Sequence, residues 1–402
     1  MATVSPANGV RVLDEGWNLP PDALVEILLR LSPICRRLVR LVCRHWRDVI
    51  DERTPPIPPP KVLAFFTGQT SASAYVVDDL ADGRGREVWG VSIVPGTKSY
   101  MDITMVGTCN GLLCLCDNTK PGGAVALFNP ATREKLRVPA VPVSYREWYG
   151  NGRTTYTFGY DATAGKYKIL HLPCHEDVSG GFNALQAFAL GDDTSWRDVA
   201  VPGGSSCCPG AGVVSVRGAA YWVTNAVERV VCFDLKDERV TFDAPLPVVA
   251  RRWYQFQLTE VHGRLGLAVC TDMRTSVTTT EEVWVLGDRQ GWTVRYRVRV
   301  DGLEQQRLAA PYFAAHGGEY VLAVRTDERW RKQLHAHRLR EGGIWLQRGE
   351  VRSVRINQPG TKVAYCSRGT CSYLRTFAYV ETTEPLSPYK IHGRILRGST
   401  SK

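Results

Sequence analysis

The sequence predicts an α+β chain in two parts, a small N-terminal helical module followed by an all-β, propeller-like domain. Three observations predict this fold class. The chain has 402 residues, more than the roughly 250–300 at which a single hydrophobic core stops growing. Two stretches before residue 51 space their apolar residues as helices do, and a proline-rich run follows them. Beyond residue 60, short apolar runs follow glycines that recur about every 50 residues.

Composition and charge agree with a folded protein and decide little about function. Hydrophobic residues make up 44% and charged residues 22% of the chain, the ordinary range of globular domains. The net charge of +10 is compatible with nucleic acid, but the basic residues are mostly mixed with acidic ones, as on a solvated surface. The 12 cysteines form no CxxC pair. We therefore interpret them as buried reduced thiols rather than metal ligands.

Residues 1–18 are expected to be a flexible N-terminus. They lack the basic start and apolar stretch of a signal peptide, and no apolar run in the chain approaches the roughly 20 residues that span a bilayer. We therefore expect a cytoplasmic or nuclear location, or both, and no membrane partner.

A first helix is predicted to begin at Pro20 and Pro21, because the first helical turn has no use for a bonded N–H. Asp22 suits the positive N-terminal end of this helix. Its apolar residues follow the i, i+3, i+4, i+7 spacing of a single face: Leu24, Ile27, Leu28 and Leu31. Pro33 stops the helix.

A second helix is predicted over residues 36–50, and a break near Val42 and Cys43 stays open. Most arginines of this stretch fall on one side of the helix. The apolar residues that share the other side are Val39, Val42, Cys43, Trp46, Val49 and Ile50.

A helical module at 19–50 is predicted to need a partner. Residues 51–60 contain five prolines, which favour a stiff, extended linker to the β region. A unit of about 40 residues cannot bury enough surface to be stable alone. We expect another polypeptide to cover the apolar helix faces, with packing against the rest of the chain as the alternative.

This module resembles the F-box family. Residues 19–31 read LPPDALVEILLRL and residues 38–47 read LVRLVCRHWR, which match the Leu-Pro start, the Ile-Leu-rich first helix and the Val-Cys-(Lys/Arg)-x-Trp end of F-box modules. The departures are Ser32, where many relatives have proline, and Arg36–Arg37, where an apolar pair is common. The resemblance implies docking onto the Skp-family adaptor of a cullin-based ubiquitin ligase. The predicted contact residues are Leu19, Pro20, Leu24, Ile27, Leu28, Leu31, Val39, Val42, Cys43 and Trp46.

The β region is predicted to be a propeller with a β-sandwich as the alternative. Units of about 50 residues with four short strands are typical of propeller blades. The repeating glycines are Gly111, Gly165, Gly218, Gly263 and Gly317. Trp196, Trp292 and Trp345 follow at similar places in three units. Five units are visible between 105 and 350, and strands within 61–104 and 365–380 could supply a sixth, closed by both ends of the domain.

Residues 61–385 are assigned to this domain and residues 386–402 to a C-terminal tail. Part of the domain resembles the F-box-associated domain of plant proteins, which is similar to kelch-type propellers. The resemblance is carried by GTCNGLLC at 107–114, FNPATRE at 128–134, FGYD at 158–161 and KYKI at 166–169. Beyond Pro173 only the rhythm of the repeat remains.

No enzyme site is predicted, and no cofactor or metal. His171, Cys174 and His175, beside Glu176 and Asp177, form the one compact set of reactive side chains, but they lie where a polar loop is expected. The glycine pairs Gly180–Gly181 and Gly203–Gly204 lack the Gly-Lys-Ser/Thr ending of a phosphate loop and are predicted to be turns.

The sequence therefore predicts a non-catalytic substrate receptor that docks through the module and binds an unidentified target protein through the β domain. One alternative is a propeller that binds a carbohydrate or small molecule. An RNA-binding protein is a weaker alternative, for which only Trp253 and Tyr254 after Arg251–Arg252 give a suggestive cluster.

Overall fold

The structure, a computed structural model, forms two compact units, Met1–Ile57 and Pro58–Lys402. The residues it describes are 20–31, 36, 39, 43–54, 60–93, 100–142, 155–174, 181–251, 254–261, 263–270, 278–287, 291–301, 306–308, 320–328, 331–338, 352–356, 360–366 and 373–390. Of the helices within these ranges, none combines the length and apolarity that a membrane span requires.

The first unit contains helices α1 (Pro21–Arg30) and α2 (Arg44–Arg53). Arg36 and Val39 are also helical, and the extended backbone of Cys43 precedes α2, so the break lies where the sequence suggested it. Helix α2 continues past the predicted module end at Ile50 to Arg53. The helix ends there because Thr54 precedes a proline, which disfavours helical backbone angles, and Thr54 has a ψ of 148°.

The core of this unit is the contact between α1 and α2. Leu24, Leu28, Val49 and Ile50 are each at most 5% exposed. Partly buried side chains pack around these four: Val25, Leu31, Val39 and Trp46. The module thus has a small core of its own.

The second unit is a six-bladed β-propeller, so the sandwich alternative is wrong. Blade 1 contains β1 (Lys61–Thr67), β2 (Ser71–Asp79), β3 (Arg84–Ser92) and β25 (Tyr373–Tyr379). Blade 2 contains β4 (Ile103–Cys109), β5 (Leu112–Asp117), β6 (Ala124–Phe128) and β7 (Lys135–Arg137). Blade 3 contains β8 (Thr155–Asp161), β9 (Lys166–Leu172), β10 (Phe182–Ala189) and β11 (Arg197–Ser205).

Blade 4 contains β12 (Val213–Val216), β13 (Ala219–Val223), β14 (Arg229–Asp234) and β15 (Arg239–Pro245). Blade 5 contains β16 (Gln255–Val261), β17 (Arg264–Cys270), β18 (Thr278–Leu286) and β19 (Trp292–Asp301). Blade 6 contains β20 (Gln306–Leu308), β21 (Tyr320–Thr326), β22 (Lys332–Arg338) and β24 (Thr361–Tyr365). Short 3-10 helices occur at Pro209–Ala211 and Ser387–Tyr389.

Blade 1 closes the ring as the sequence predicted, because strand β25 near the C-terminus pairs antiparallel with β1. Blade 5 has a feature that was not predicted. The chain between β22 and β24 of blade 6 contributes β23 (Arg352–Ile356), which pairs parallel to β19 as a fifth strand.

The propeller core is divided among the six junctions between neighbouring blades. A separate cluster of buried apolar side chains fills each junction, including the one between blades 6 and 1. Both faces of a blade are therefore buried, which explains why strands such as β5 and β17 are apolar along nearly their whole length instead of alternating.

Four of the repeating glycines occupy the same place in their blades. Gly111, Gly165, Gly218 and Gly263 have φ between 69° and 80° and lie in the turn between the first and second strands. A positive φ is strained for other residues. Gly317 lies outside the described residues.

Two of the three repeating tryptophans join neighbouring blades. The Nε1–H of Trp196 donates to the Pro139 carbonyl across the junction of blades 2 and 3, at 2.7 Å. Trp292 donates in the same way to the Pro245 carbonyl of blade 4, at 2.9 Å. Trp345 lies outside the described residues.

Candidate functional site

The predicted docking residues divide into a buried and an exposed group. Leu24 and Leu28 are 1% and 0% exposed, so they form the module's core and contribute to docking only by shaping it. Leu31, Val39 and Trp46 are partly buried beside them. The exposed group consists of Pro20, Ile27 and Cys43. Leu19 and Val42 lie outside the described residues.

Helix α1 also exposes an apolar residue that the sequence analysis missed. Ile27 is 41% and Leu29 is 44% exposed, and Leu28 between them is buried. Successive helical residues are about 100° apart, so three consecutive apolar residues cannot all face one core. The run Ile27–Leu29 was the signal that could have identified Leu29.

A cavity of about 220 Å³ lies in the propeller, where the innermost strands of neighbouring blades approach one another. Strands β25, β4, β8, β12 and β16 each contribute to its wall, beside β1 and the 3-10 helix at Pro209–Ala211. The polar side chains among its lining residues are Thr67, Thr104, Thr155, Tyr156, Gln257, Tyr373 and Arg375. A second cavity of about 90 Å³ adjoins it and shares Arg375 and inner-strand residues.

The residues that carry the plant-domain resemblance hold a C-terminal segment, residues 380–390, which we call the strap. Asn129 Nδ2 donates to the Glu384 carbonyl at 2.7 Å, and Tyr167 donates to the Glu384 carboxylate at 2.5 Å. Glu134 accepts the backbone N–H of Leu386 at 2.8 Å. These motif residues therefore have a structural role.

The strap lies against blades 2 and 3. Leu386 is 0% exposed and belongs to the core between them. Burial, with the Glu384 charge beside it, raises the pKa of Tyr167, which keeps this hydroxyl a donor. Packed structure thus continues past residue 385 to Lys390, into the segment that the sequence assigned to a tail.

The set at 171–177 has ordinary packing where it is described. His171 Nδ1 lies 2.8 Å from Gln186 Oε1, and Cys174 is buried in the core between blades 3 and 4. His175, Glu176 and Asp177 lie outside the described residues. Within the described part of the chain, no group of three or more His, Cys, Asp or Glu side chains could hold a metal ion. Of the suggestive RNA cluster, Arg251 and Tyr254 are described, and Arg252 and Trp253 are not.

Comparison with protein families gives two matches. The family model for the F-box associated beta propeller domain matches residues 92–332. The model for the F-box domain matches residues 17–56, which include helices α1 and α2.

The similar curated proteins include several from Arabidopsis thaliana. An F-box/kelch-repeat protein is 23% identical over 299 residues, covering 67% of this chain and 66% of that protein. An F-box protein is 24% identical over 173 residues, covering 42% and 40%. Another F-box/kelch-repeat protein is 22% identical over 408 residues, covering 90% and 89%. The matched part thus spans slightly less than two thirds of the first relative and 40% of the second.

Solved structures resemble the chain only loosely. TolB from Acinetobacter baumannii aligns at 13% identity and a TM-score of 0.41, covering 72% of this chain and 65% of that one. A hypothetical selenium-binding protein from Sulfolobus tokodaii aligns at 10% identity and a TM-score of 0.37, covering 70% and 72%. Likenesses at these scores support no conclusion about function.

The family matches agree with the architecture, since an F-box match covers the helical unit and the propeller match lies within the β unit. The chain therefore belongs to the family of proteins with an F-box associated beta propeller domain, which it combines with an N-terminal F-box domain.

Proposed function

We propose that this protein is a substrate receptor of a Skp-cullin-F-box ubiquitin ligase. Its F-box module binds the Skp-family adaptor, and through it a cullin, while the propeller binds a target protein. The observation that carries the proposal is the exposure of the apolar Ile27 on a module whose core is already filled by other residues. F-box domains generally bind Skp-type adaptors, and the F-box match covers this module.

The receptor acts by proximity and performs no chemistry of its own. Holding a target near the ligase's catalytic subunits makes ubiquitin transfer effectively intramolecular, which raises the local concentration of target lysines. We expect this to take place in the cytoplasm or the nucleus.

The docking face is tested with Ile27→Asp. A charge on an apolar contact must lose its hydration when the adaptor covers it. We therefore expect at least about tenfold weaker binding of purified adaptor, a change of about 1.4 kcal/mol in binding free energy. Titration calorimetry with the full chain measures it, and the helical signal of the free protein checks that the module stays folded.

Leu29→Asp is the matched control variant, because it makes the same change about 200° around the helix at a residue outside the predicted contact set. A smaller loss in Leu29→Asp supports the predicted face, and equal losses would extend the face to Leu29. Unchanged affinity in Ile27→Asp contradicts the docking proposal. Leu28→Asp is unsuitable, since Leu28 is buried and its loss would disrupt the module's own core.

A further inference from the structure

Arg375 spans the centre of the propeller. It belongs to β25, the innermost strand of blade 1, and lines both adjoining cavities. A Cβ placed on Gly212 would lie 3.4 Å from Arg375 Nη2. Gly212 directly precedes β12 of blade 4, which lies three places along the ring from blade 1. The guanidinium therefore reaches across the axis.

This guanidinium has no carboxylate partner among the described residues. The guanidinium instead lies over the ring of Phe377, with Arg375 Cζ 5.5 Å from the ring centroid. The described residues that line the larger cavity include no Asp and no Glu, so they contribute a formal charge of +1. Glu260 lines the smaller cavity, but among the described residues it forms no ion pair with Arg375. A partly buried cation without a counter-charge is unfavourable for the protein alone.

Two neutral groups in the wall of the same cavity also have unused hydrogen-bonding capacity within the described part of the chain. The Gln257 amide and the Thr155 hydroxyl line the same cavity and make no side-chain hydrogen bond there. Thr67 differs, because its hydroxyl donates to the Ile103 carbonyl at 2.7 Å. The cavity wall therefore offers one cation, an amide and a hydroxyl.

We infer that this cavity binds a carboxylate of the target polypeptide, with Arg375 as its cationic anchor and Gln257 and Thr155 as neutral hydrogen-bonding groups. Arginine presents paired N–H donors that match the two oxygens of a carboxylate. A single positive charge balances a carboxylate better than a doubly charged phosphate. The inference deepens the proposed receptor function and rests on it. The carboxylate could be a C-terminus or an Asp or Glu side chain.

The test uses the full chain and four pools of random decapeptides. The pools have free or amidated C-termini, each with or without Asp and Glu, and mass spectrometry quantifies the retained peptide. We expect the pool without any carboxylate to be retained at least tenfold less than the others. Two pools contain only one kind of carboxylate: free C-termini without Asp and Glu, and amidated C-termini with Asp and Glu. Comparing their retention distinguishes a terminal from a side-chain carboxylate.

Arg375→Gln is expected to lower retention of carboxylate peptides at least tenfold, because it removes the charge and the paired donors. Arg375→Lys keeps the positive charge but loses the paired N–H donors of the guanidinium, so we expect an intermediate loss of peptide retention. Arg137→Gln is the matched control, since Arg137 is exposed on β7 away from the cavity, and it should retain peptides as the wild type does. If Arg375→Gln does not fold, Arg375→Lys and the four pools on wild type still decide.

The inference is overturned if Arg375→Gln retains peptides like wild type, if the carboxylate-free pool binds equally well, or if wild type retains no pool. None of these results bears on adaptor binding, which the Ile27→Asp experiment measures separately. Loss of the adaptor interaction would remove the receptor function even where peptide retention persists, so the two failures are distinguishable.

Discussion

Glu281 is a buried acid on β18. It is 8% exposed and lies on the same strand face as Val283 and Val285, which form the core between blades 5 and 6. Burial disfavours the charged carboxylate and raises the pKa of Glu281 to about 7. This one side chain therefore couples the stability of the propeller to pH.

Glu281→Gln should remove the contribution of Glu281 to the pH dependence of stability. The folded state holds a proton on Glu281 up to about pH 7, whereas the unfolded state releases it near pH 4.5. Wild type therefore loses stability relative to the variant as pH rises from 4.5 to 7, by an amount on the order of 3 kcal/mol, and the loss persists above pH 7. Urea unfolding at several pH values measures the difference.

Glu228→Gln provides the baseline, because Glu228 is exposed on the turn before β14. Parallel stability curves for wild type and Glu281→Gln between pH 4.5 and 7 would contradict the assignment of this proton to Glu281.

At the scale of the element, a five-residue turn recurs. In each copy the first side chain, Asp or Asn, accepts the backbone N–H groups two and three positions later, and the fifth residue has a positive φ. The copies are Asp79–Gly83, Asn129–Arg133, Asp161–Gly165 and Asp234–Glu238. Asx-turn chemistry thus fixes the ends of strands in four blades.

The strap is the element that the repeat pattern does not indicate. It has no strand of its own, and single side chains from two blades hold it through Glu384 and Leu386. The same motif residues that point to the plant domain family therefore also secure the strap.

Leu386→Ala should lower the free energy of unfolding by about 2–4 kcal/mol, because it leaves a cavity in the core between blades 2 and 3. Lys390→Ala is the control, since Lys390 is exposed and surface changes usually stay within about 0.5 kcal/mol. Chemical denaturation of both variants measures the difference. Equal stability would mean that the strap does not belong to the cooperative fold.

At the scale of the whole molecule, the propeller is a closed ring with two kinds of closure. Strand β25 joins the two ends of the domain through its ladder with β1. The blade 6–blade 1 junction is tight at Gly83, where a Cβ would lie 2.4 Å from the Lys362 carbonyl oxygen. Every blade is thus supported on both faces.

Gly83→Ala should weaken this junction. The added methyl group would clash with backbone atoms, and the φ of +68° at Gly83 is itself strained for alanine. We therefore expect the free energy of unfolding to fall by about 2 kcal/mol or more. Gly203→Ala is the matched control, because no atom lies within 4 Å of a Cβ there and its φ is ordinary. Thermal unfolding followed by tryptophan fluorescence and by circular dichroism compares the two.

Equal unfolding temperatures for Gly83→Ala and Gly203→Ala would contradict this prediction. They would show that the blade 6–blade 1 junction accommodates the added methyl group. A single transition of the propeller, seen by both probes, is expected, because the six shared cores couple the blades.

The sequence by itself determined the two-part architecture, the F-box module, the blade repeat and the closure by both ends. The helical module and the blade repeat depend on local periodicity: helical spacing around Leu24 and Leu28, glycines that only a positive-φ turn requires, and apolar runs as long as a strand. The F-box assignment depends on the resemblance of residues 19–31 and 38–47 to the family's motif. Periodicity indicates which residues are apolar. It does not indicate whether another part of the same chain or a partner protein covers each of them.

Tertiary structure alone decided the rest. Helix packing placed Leu28 inside the module and left Ile27 and Leu29 outside. Ring closure brought Arg375 to a cavity shared with residues far away in the chain, and it carried β23 and the strap onto blades to which the repeat does not assign them. The physical reason is that these contacts join residues distant in sequence, whose partners are chosen by the shape of the closed ring and leave no local pattern in the chain.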